Sequence, residues 1–393
     1  APKLKGLPDL IYHREATRSY VSRVGDHLVC KVFAIDHRYP GGSSLLEPFE
    51  VEARYLKIFS FLLAHGIIDS SALLLGTCVM TRKEVEESGY LPSEMKMFDM
   101  KSKGKGKSKR KGRTAAERSR PSVTPPELYA IIFAEAGDTS VSAYMAKLCH
   151  QPQYSRSHLT YGIRALLLQI IFTLASIHRV FPSYKHLDLH ASNWLVQTID
   201  APSLRTQLNL SADTPMVVEY AFGSRRWQLS LDRAPFRVLL WDMNFSSINP
   251  EDVEPYGIDL VTARVRDYNR MVPLSRSETN QYVDVAKTVD TMRWVLEQGK
   301  NHTMKDLPRD MQEFFERVIP SSLSLANVKP DDKDSKRERL EHVHRPGDDV
   351  LTPQRLLDDP IFTCLRVPEM GERPRAVYRL KGHSMLTAVT TST

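Results

Sequence analysis

Apolar and polar positions alternate through residues 10 to 34 around Gly25-Asp26 and close on the apolar run LVCKVF, which predicts a β-hairpin and its strand, interrupted by Lys31. From Pro48 the period changes. In PFEVEARYLKIFSFLLA, Glu52, Leu56, Phe59 and Leu63 recur at helical spacing, so the predicted helix turns an acid inward with its apolar face. Further strands are predicted at 73–80 and 128–133, helices at about 138–149 and 158–178, and strands at 194–197 and 237–242. Between the last two, VVEYAFGSRRWQLSL predicts a second hairpin over about 216–231, turning near Gly223-Ser224. A helix over about 282–297 would bury Val285, Val289, Met292 and Leu296, and LTPQRLLDDPIF predicts a short closing helix. A strand-rich first third thus gives way to a helical remainder, with no internal repeat.

Composition narrows this picture. The chain has 393 residues, 41% hydrophobic and 26% charged, which fits one large or two smaller globular domains with a core that needs no staple. Cys30, Cys78, Cys149 and Cys364 stand singly, without C-x-x-C or zinc spacing, and predict a reducing intracellular compartment, cytoplasmic or nuclear. The longest apolar run, Ala165 to Ile177, contains Gln169 and falls short of the roughly 20 residues that cross a bilayer, so it predicts a buried helix and no membrane span. The first residue is Ala with no charged-then-apolar leader after it, which fits a processed start or an excised fragment.

The net charge of +7 reads as that of a basic protein, but residues 101–120 (KSKGKGKSKRKGRTAAERSR) carry ten Lys or Arg against the single acid Glu117. The rest of the chain is therefore close to neutral. The Lys-Gly-Ser alternation and the following Pro121, Pro125 and Pro126 predict a disordered insertion over about 100–124. A solvated loop, nuclear targeting, and contact with nucleic acid or an acidic partner are the open readings of it. Residues 328–350 are also highly charged and predict a loop.

The candidate chemistry lies in KHLDLHASNWLV, residues 185–196, after the long apolar helix and before a strand. Phosphoryl transfer needs a carboxylate to orient the attacking hydroxyl and an amide oxygen to hold a metal on the phosphates, and Asp188 and Asn193 offer both from one loop. Lys31 within a strand and Glu52 on a helix precede them, and Asp242 follows at the end of FRVLLWD. Glu52 is chosen over Glu50 because it is in phase with the buried face.

Those pieces in that order resemble the protein-kinase family from about residue 10 to residue 363. The resemblance implies an α+β, bilobal protein kinase-like fold: a small β-rich N-lobe, residues 1–134, and a larger, mostly helical C-lobe, residues 135–393. It implies ATP and Mg2+ as cofactors and a protein substrate phosphorylated on Ser or Thr. Lys31, paired with Glu52, would contact the phosphates, Asp188 would orient the hydroxyl, and Asn193 and Asp242 would hold magnesium. His186 matches the structural histidine of the catalytic loop, with Leu187 where most kinases have arginine, and Asp242 is followed by Met243-Asn244 in place of Phe-Gly. Asp284 matches the aspartate that ties the catalytic loop down.

The stretch LYAIIFAEAGDTSVSAYM, residues 128–145, resembles the hinge of haspin-type kinases and would set Phe133 and Glu135 beside the nucleotide. D-L-H-x-x-N and the hairpin inserted over 216–231 are similar to haspin-type kinases, and the hairpin also to virion Ser/Thr kinases of poxviruses and related large DNA viruses, a likeness that implies a viral origin and a place in the virion. The phosphate-covering loop departs from the family: its register reads Arg14, Ala16, Ser19 and Val21, with no glycine to bring backbone N–H groups onto phosphates. A pseudokinase scaffold and a small-molecule phosphotransferase of the aminoglycoside or choline kinase type therefore stand beside the protein-kinase reading.

Overall fold

The alternating first third forms a five-stranded sheet. The computed structural model describes residues 9–14, 19–24, 27–35, 48–68, 70–88, 128–244, 246–256, 281–324, 351–367, 377–381 and 385–389. Ala16, the Gly25-Asp26 turn, the basic run 101–120 and the charged stretch 328–350 lie outside the described residues. Strands β1 (Asp9–Arg14), β2 (Ser19–Arg23), β3 (Leu28–Ile35), β4 (Leu74–Thr81) and β5 (Leu128–Glu135) are ordered β1-β2-β3-β5-β4. The antiparallel register sets Val21 opposite Lys31 and Lys31 opposite Ile132, one row across three strands. Because side chains alternate along a strand, the other face of β3 and β5 carries Cys30, Val32, Tyr129 and Ile131, which pack with Val24 and Val85 into a core. Val85 belongs to α2 (Arg82–Ser88), a helix the apolar pattern does not announce. A capping box starts it: Glu84 accepts the Thr81 N–H at 2.7 Å, and the Thr81 hydroxyl accepts the Glu84 N–H at 3.3 Å.

The described residues divide into two compact units, one from residues 1–44 and 75–136, the other from residues 45–74 and 137–393. The fold is mixed α/β with a sheet-rich N-terminal region, compatible with a kinase fold.

The second unit contains α1 (Pro48–Ala64), where Glu52, Leu56, Phe59 and Leu63 are all buried as their spacing predicts. The helix stops in a Schellman turn: Gly66 takes the left-handed conformation at φ 65°, its N–H donates to Leu63 O, and the Ile67 N–H reaches Leu62 O. On α1, Tyr55 and Phe59 pack their rings against Tyr184 at 6.4 and 5.3 Å. A three-stranded antiparallel sheet follows, ordered β10-β7-β6, from β6 (Thr139–Ser140), β7 (Trp194–Thr198) and β10 (Phe236–Leu240). Helices α3 (Val141–His150) and α4 (Arg156–Val180) start on Ser140 and Ser155, whose hydroxyls accept the N–H three residues on, as N-caps do.

The apolar run lies in α4, which is long and apolar enough to cross a bilayer, yet 83% of its most apolar window is buried inside the protein. Gln169, at the middle of that run, accepts the N–H of Val238 at 2.9 Å and so satisfies the edge of β10 that has no strand partner. The same edge is bridged by residues 70–72, with Leu240 N–H donating to Ser70 O at 3.0 Å and Ala72 N–H to Leu240 O at 3.2 Å.

The remaining α-helices among the described residues are α5 (Ala201–Gln207), α6 (Pro250–Val253), α7 (Tyr282–Glu297), α8 (Arg309–Val318) and α9 (Pro353–Leu356). The inserted hairpin is β8 (Val217–Phe222) and β9 (Arg225–Ser230), turning through Gly223 at φ 63°, the position where a two-residue loop of this kind needs glycine. Two strands absent from the sequence prediction, β11 (Val377–Lys381) and β12 (Met385–Val389), extend it to a sheet ordered β12-β11-β8-β9, with β11 parallel to β8. The expected closing helix is broken in two. After α9, Asp359 caps a separate 3-10 run, Pro360–Leu365, because Pro360 has no N–H with which to continue an α-helix.

Gly137 shows how tightly these pieces meet. A Cβ added there would lie 2.5 Å from Cβ of Leu195. Gly137→Ala is expected to destabilise the protein by about 1–3 kcal/mol, the usual cost of overpacking, read as a lower urea midpoint with unchanged slope.

Candidate active site

The loop that follows α4 is held by its main chain. Lys185 and Ser247 exchange N–H to carbonyl bonds at 2.9 and 2.8 Å. The chain then passes through Leu187 in a left-handed conformation, φ 66°, which an L side chain adopts only at a cost of about 1–2 kcal/mol. Asp284, in the first turn of α7, compensates: its carboxylate accepts the N–H of His186 at 2.6 Å and that of Leu187 at 3.0 Å. Burial pushes the Asp284 carboxyl above its usual range, while His186, Lys287 and the two N–H bonds pull in the other direction.

Further along α7, Lys287 donates to Leu187 O at 2.5 Å. The Thr288 hydroxyl lies 3.2 Å from Leu189 O and accepts from the Trp194 indole at 3.2 Å. The Thr291 hydroxyl accepts the Ala191 N–H at 2.8 Å. Asp284, Lys287, Thr288 and Thr291 stand at i, i+3, i+4 and i+7, so one polar stripe on a buried helix serves the loop. Asp284 was the only member singled out from the sequence; the helical spacing of the others is the signal that would have found them.

Within the loop, Asp188 is half-buried and Asn193 is buried at the end of a 3-10 turn, Ala191–Asn193, before β7. Asn193 Nδ2 donates to Asp188 O at 2.8 Å, which leaves Oδ1 as the atom of that amide able to meet a cation. Trp241 N–H donates to Asn193 O at 3.0 Å, and His186 Nε2 donates to Trp241 O at 3.0 Å. The residue after Trp241 is therefore held beside the loop. Asp242 is buried, with φ 61°, a second left-handed residue at the same place. Two positions on, Asn244 is buried with neither amide atom hydrogen-bonded, a costly arrangement the sequence reading passed over.

No group of three or more His, Cys, Asp or Glu gathers among the described residues. Magnesium does not require one, since it is held by one or two carboxylates together with substrate phosphates and water. The hard oxygen donors of Asn193 and Asp242 fit that mode.

The sequence-predicted residues divide between the two units. Glu52, Asp188, Asn193 and Asp242 belong to the second. Lys31, Ser19, Val21, Phe133 and Glu135 belong to the first, and Ala16 lies outside the described residues. Lys31 is buried on the sheet face it shares with Ser19 and Val21, its Nζ 5.2 Å from the centre of the Phe33 ring. Phe133, opposite Cys30, packs on the other face against the core, and Glu135, opposite Leu28, follows the same alternation.

No family model matches the sequence. Over 322 residues the chain is 23% identical to a protein of Acanthamoeba polyphaga mimivirus named "Putative serine/threonine-protein kinase". The match takes in 79% of this chain and 61% of that protein's length. The similarity supports a kinase-like, phosphotransferase reading at low identity.

Two outcomes test the geometry. Asp284→Ala leaves two buried N–H groups without an acceptor, at about 1–3 kcal/mol each, and urea unfolding is expected to show that loss. His178, buried in α4 with Nε2 3.1 Å from Tyr184 O, has its pKa lowered from 6.5 to about 4, chiefly by burial; the Tyr184 bond opposes the shift and Lys185 adds to it. Between those values the unfolded chain holds a proton that the folded chain lacks, so stability falls as pH falls, by up to about 3 kcal/mol. His178→Gln is expected to flatten that part of the stability profile between pH 7 and 4.

Proposed function

We propose that this chain is an ATP- and magnesium-dependent protein kinase acting on Ser or Thr. The observation that carries the proposal is the loop at 186–193 and the residue Asp242 beside it: Leu187 and Asp242 are left-handed, the buried Asp284 carboxylate accepts from His186 and Leu187, Asn193 Nδ2 donates to Asp188 O, and Trp241, next to Asp242, donates to Asn193 O. Strain held in place by surrounding contacts clusters at functional sites, and here it lies beside Asp188, Asn193 and Asp242, residue types that phosphoryl transfer uses to orient a hydroxyl and hold a metal. The similarity to the mimivirus protein supports the same reading.

In this reading Asp188 orients the substrate hydroxyl and takes up its proton. Asn193 Oδ1 and the Asp242 carboxylate hold magnesium. Bound ATP with magnesium supplies the transferable phosphoryl group. By the resemblance to kinases Lys31 would offset phosphate charge with Glu52 as its partner; Ser19 and Val21 share the Lys31 face of the sheet. Phe133 and Glu135, expected beside the nucleotide, alternate onto the sheet face opposite Lys31, where Phe133 packs against the core, and are given no part in this reading. The small lobe of this reading is residues 1–134 and the large one 135–393, a division that differs from the two compact units in that residues 45–74 group with the second.

The test is transfer of labelled γ-phosphate with magnesium to an acidic casein-like protein, a basic histone-like protein and the chain itself. Asp188→Ala is expected to lower transfer at least about a hundredfold while melting temperature is retained. Undiminished transfer by that variant would remove Asp188 from the mechanism, and no transfer by the parent chain to any acceptor would overturn the enzymatic reading.

A further inference from the structure

A cavity of about 620 Å³ opens in the second unit, within the usual size range of small-ligand sites. Three parts of the chain bring cations to it: the first turns of α4 with Arg156 and Arg164, the turn after β9 with Arg233, and the 3-10 turn Met304–Asp306 with Lys305. Ser157 and Thr160 add hydroxyl groups to the same wall.

The acids nearby are already engaged. Asp306 accepts the Thr303 N–H at 2.8 Å in a capping box and pairs with Arg156 at 2.8 Å. Those bonds, the Thr303 N–H foremost, hold its carboxyl below the usual range. Asp310 accepts the Met311 N–H at 2.9 Å and pairs with Arg164 at 2.5 Å. Arg164 still has a buried Nε–H without an acceptor. The Arg233 guanidinium carbon lies 3.9 Å from the centre of the Tyr161 ring, and the Tyr161 hydroxyl is fixed by the Ser230 N–H at 2.7 Å. Neither Arg233 nor Lys305 has a carboxylate within ion-pair distance among the described residues.

An anion entering this cavity would therefore meet the Arg233 guanidinium, the Lys305 ammonium and the Ser157 and Thr160 hydroxyls without displacing an existing pair. Fork-shaped guanidinium donors suit the oxygens of a phosphate, and stacking on an aromatic ring orders the fork before the ligand arrives. We propose that this cavity binds a phosphate monoester dianion, at a site separate from Asp188, Asn193 and Asp242. The inference does not depend on phosphoryl transfer by this chain.

The experiment measures binding to the full chain of a fluorescent phosphoserine peptide, the same peptide without phosphate, and inorganic phosphate as competitor. Expected are phosphate-dependent binding, loss of about tenfold or more in affinity for Arg233→Glu and for Lys305→Glu, and partial retention in Arg233→Lys. Arg233→Gln and Lys305→Gln serve where the reversed charge lowers melting temperature. Asp188→Ala is expected to bind the phosphopeptide as the parent does, which separates this site from the catalytic loop. Competition by inorganic phosphate at equal concentration would assign the site to a free phosphate group, whereas a large preference for the peptide would assign it to a phosphorylated protein segment; either supports the proposal. Binding independent of the phosphate, no binding, or binding unchanged by all of the Arg233 and Lys305 variants would overturn it.

Discussion

At His186 and Leu187 the main chain turns through a left-handed residue inside the protein, where its N–H groups have neither water nor a neighbouring strand to bond. One carboxylate solves both problems, and Asp284 must be desolvated to do so. Burying a carboxylate is tolerable only when its lone pairs are met, and here two backbone donors and the nearby Lys287 share its charge. Asp188 follows directly, so the direction of its side chain is inherited from this arrangement. The loop is thus positioned from α7, an element distant in sequence, more than by its own residues.

The same economy recurs across the second unit. Several polar side chains buried in it are assigned to particular main-chain groups: Gln169 to Val238, His178 to Tyr184, Thr288 to Leu189. Each replaces a bond that a longer strand or a water molecule would otherwise supply, which is why a largely apolar helix such as α4 retains them. Tyr184 carries the effect outward, since its ring supports α1 through Tyr55 and Phe59, and α1 bears Glu52.

Much of this was legible in the chain. The inward acid at Glu52, the strand lysine, the loop at 185–196 and the helix over 282–297 all follow from period and spacing, because each element buries a continuous face. Others were not. The α8 sequence sets Met311, Phe314, Phe315 and Val318 on one buried face and was readable by the same rule, but α2 and α5 are short and carry few apolar residues, so capping rather than periodicity makes them helices. The break at Pro360 follows from the ring's missing N–H. Asn193 and Asp242 were singled out by the order of the motifs and their places beside strands, yet the left-handed backbone at Leu187 and Asp242 could not be read, since no glycine marks it and the conformation is imposed by bonds to residues elsewhere in the chain.

The pairing of β11 with β8 couples the inserted hairpin to synthesis. Tyr378 lies opposite Val218 in a parallel arrangement, so one flank of the hairpin stays open until a strand far downstream has emerged from the ribosome. During that interval β8 presents unpaired backbone groups to the cell, a template for pairing with another chain. The hairpin is thus a late-closing seam, exposed for at least the time taken to translate the intervening residues.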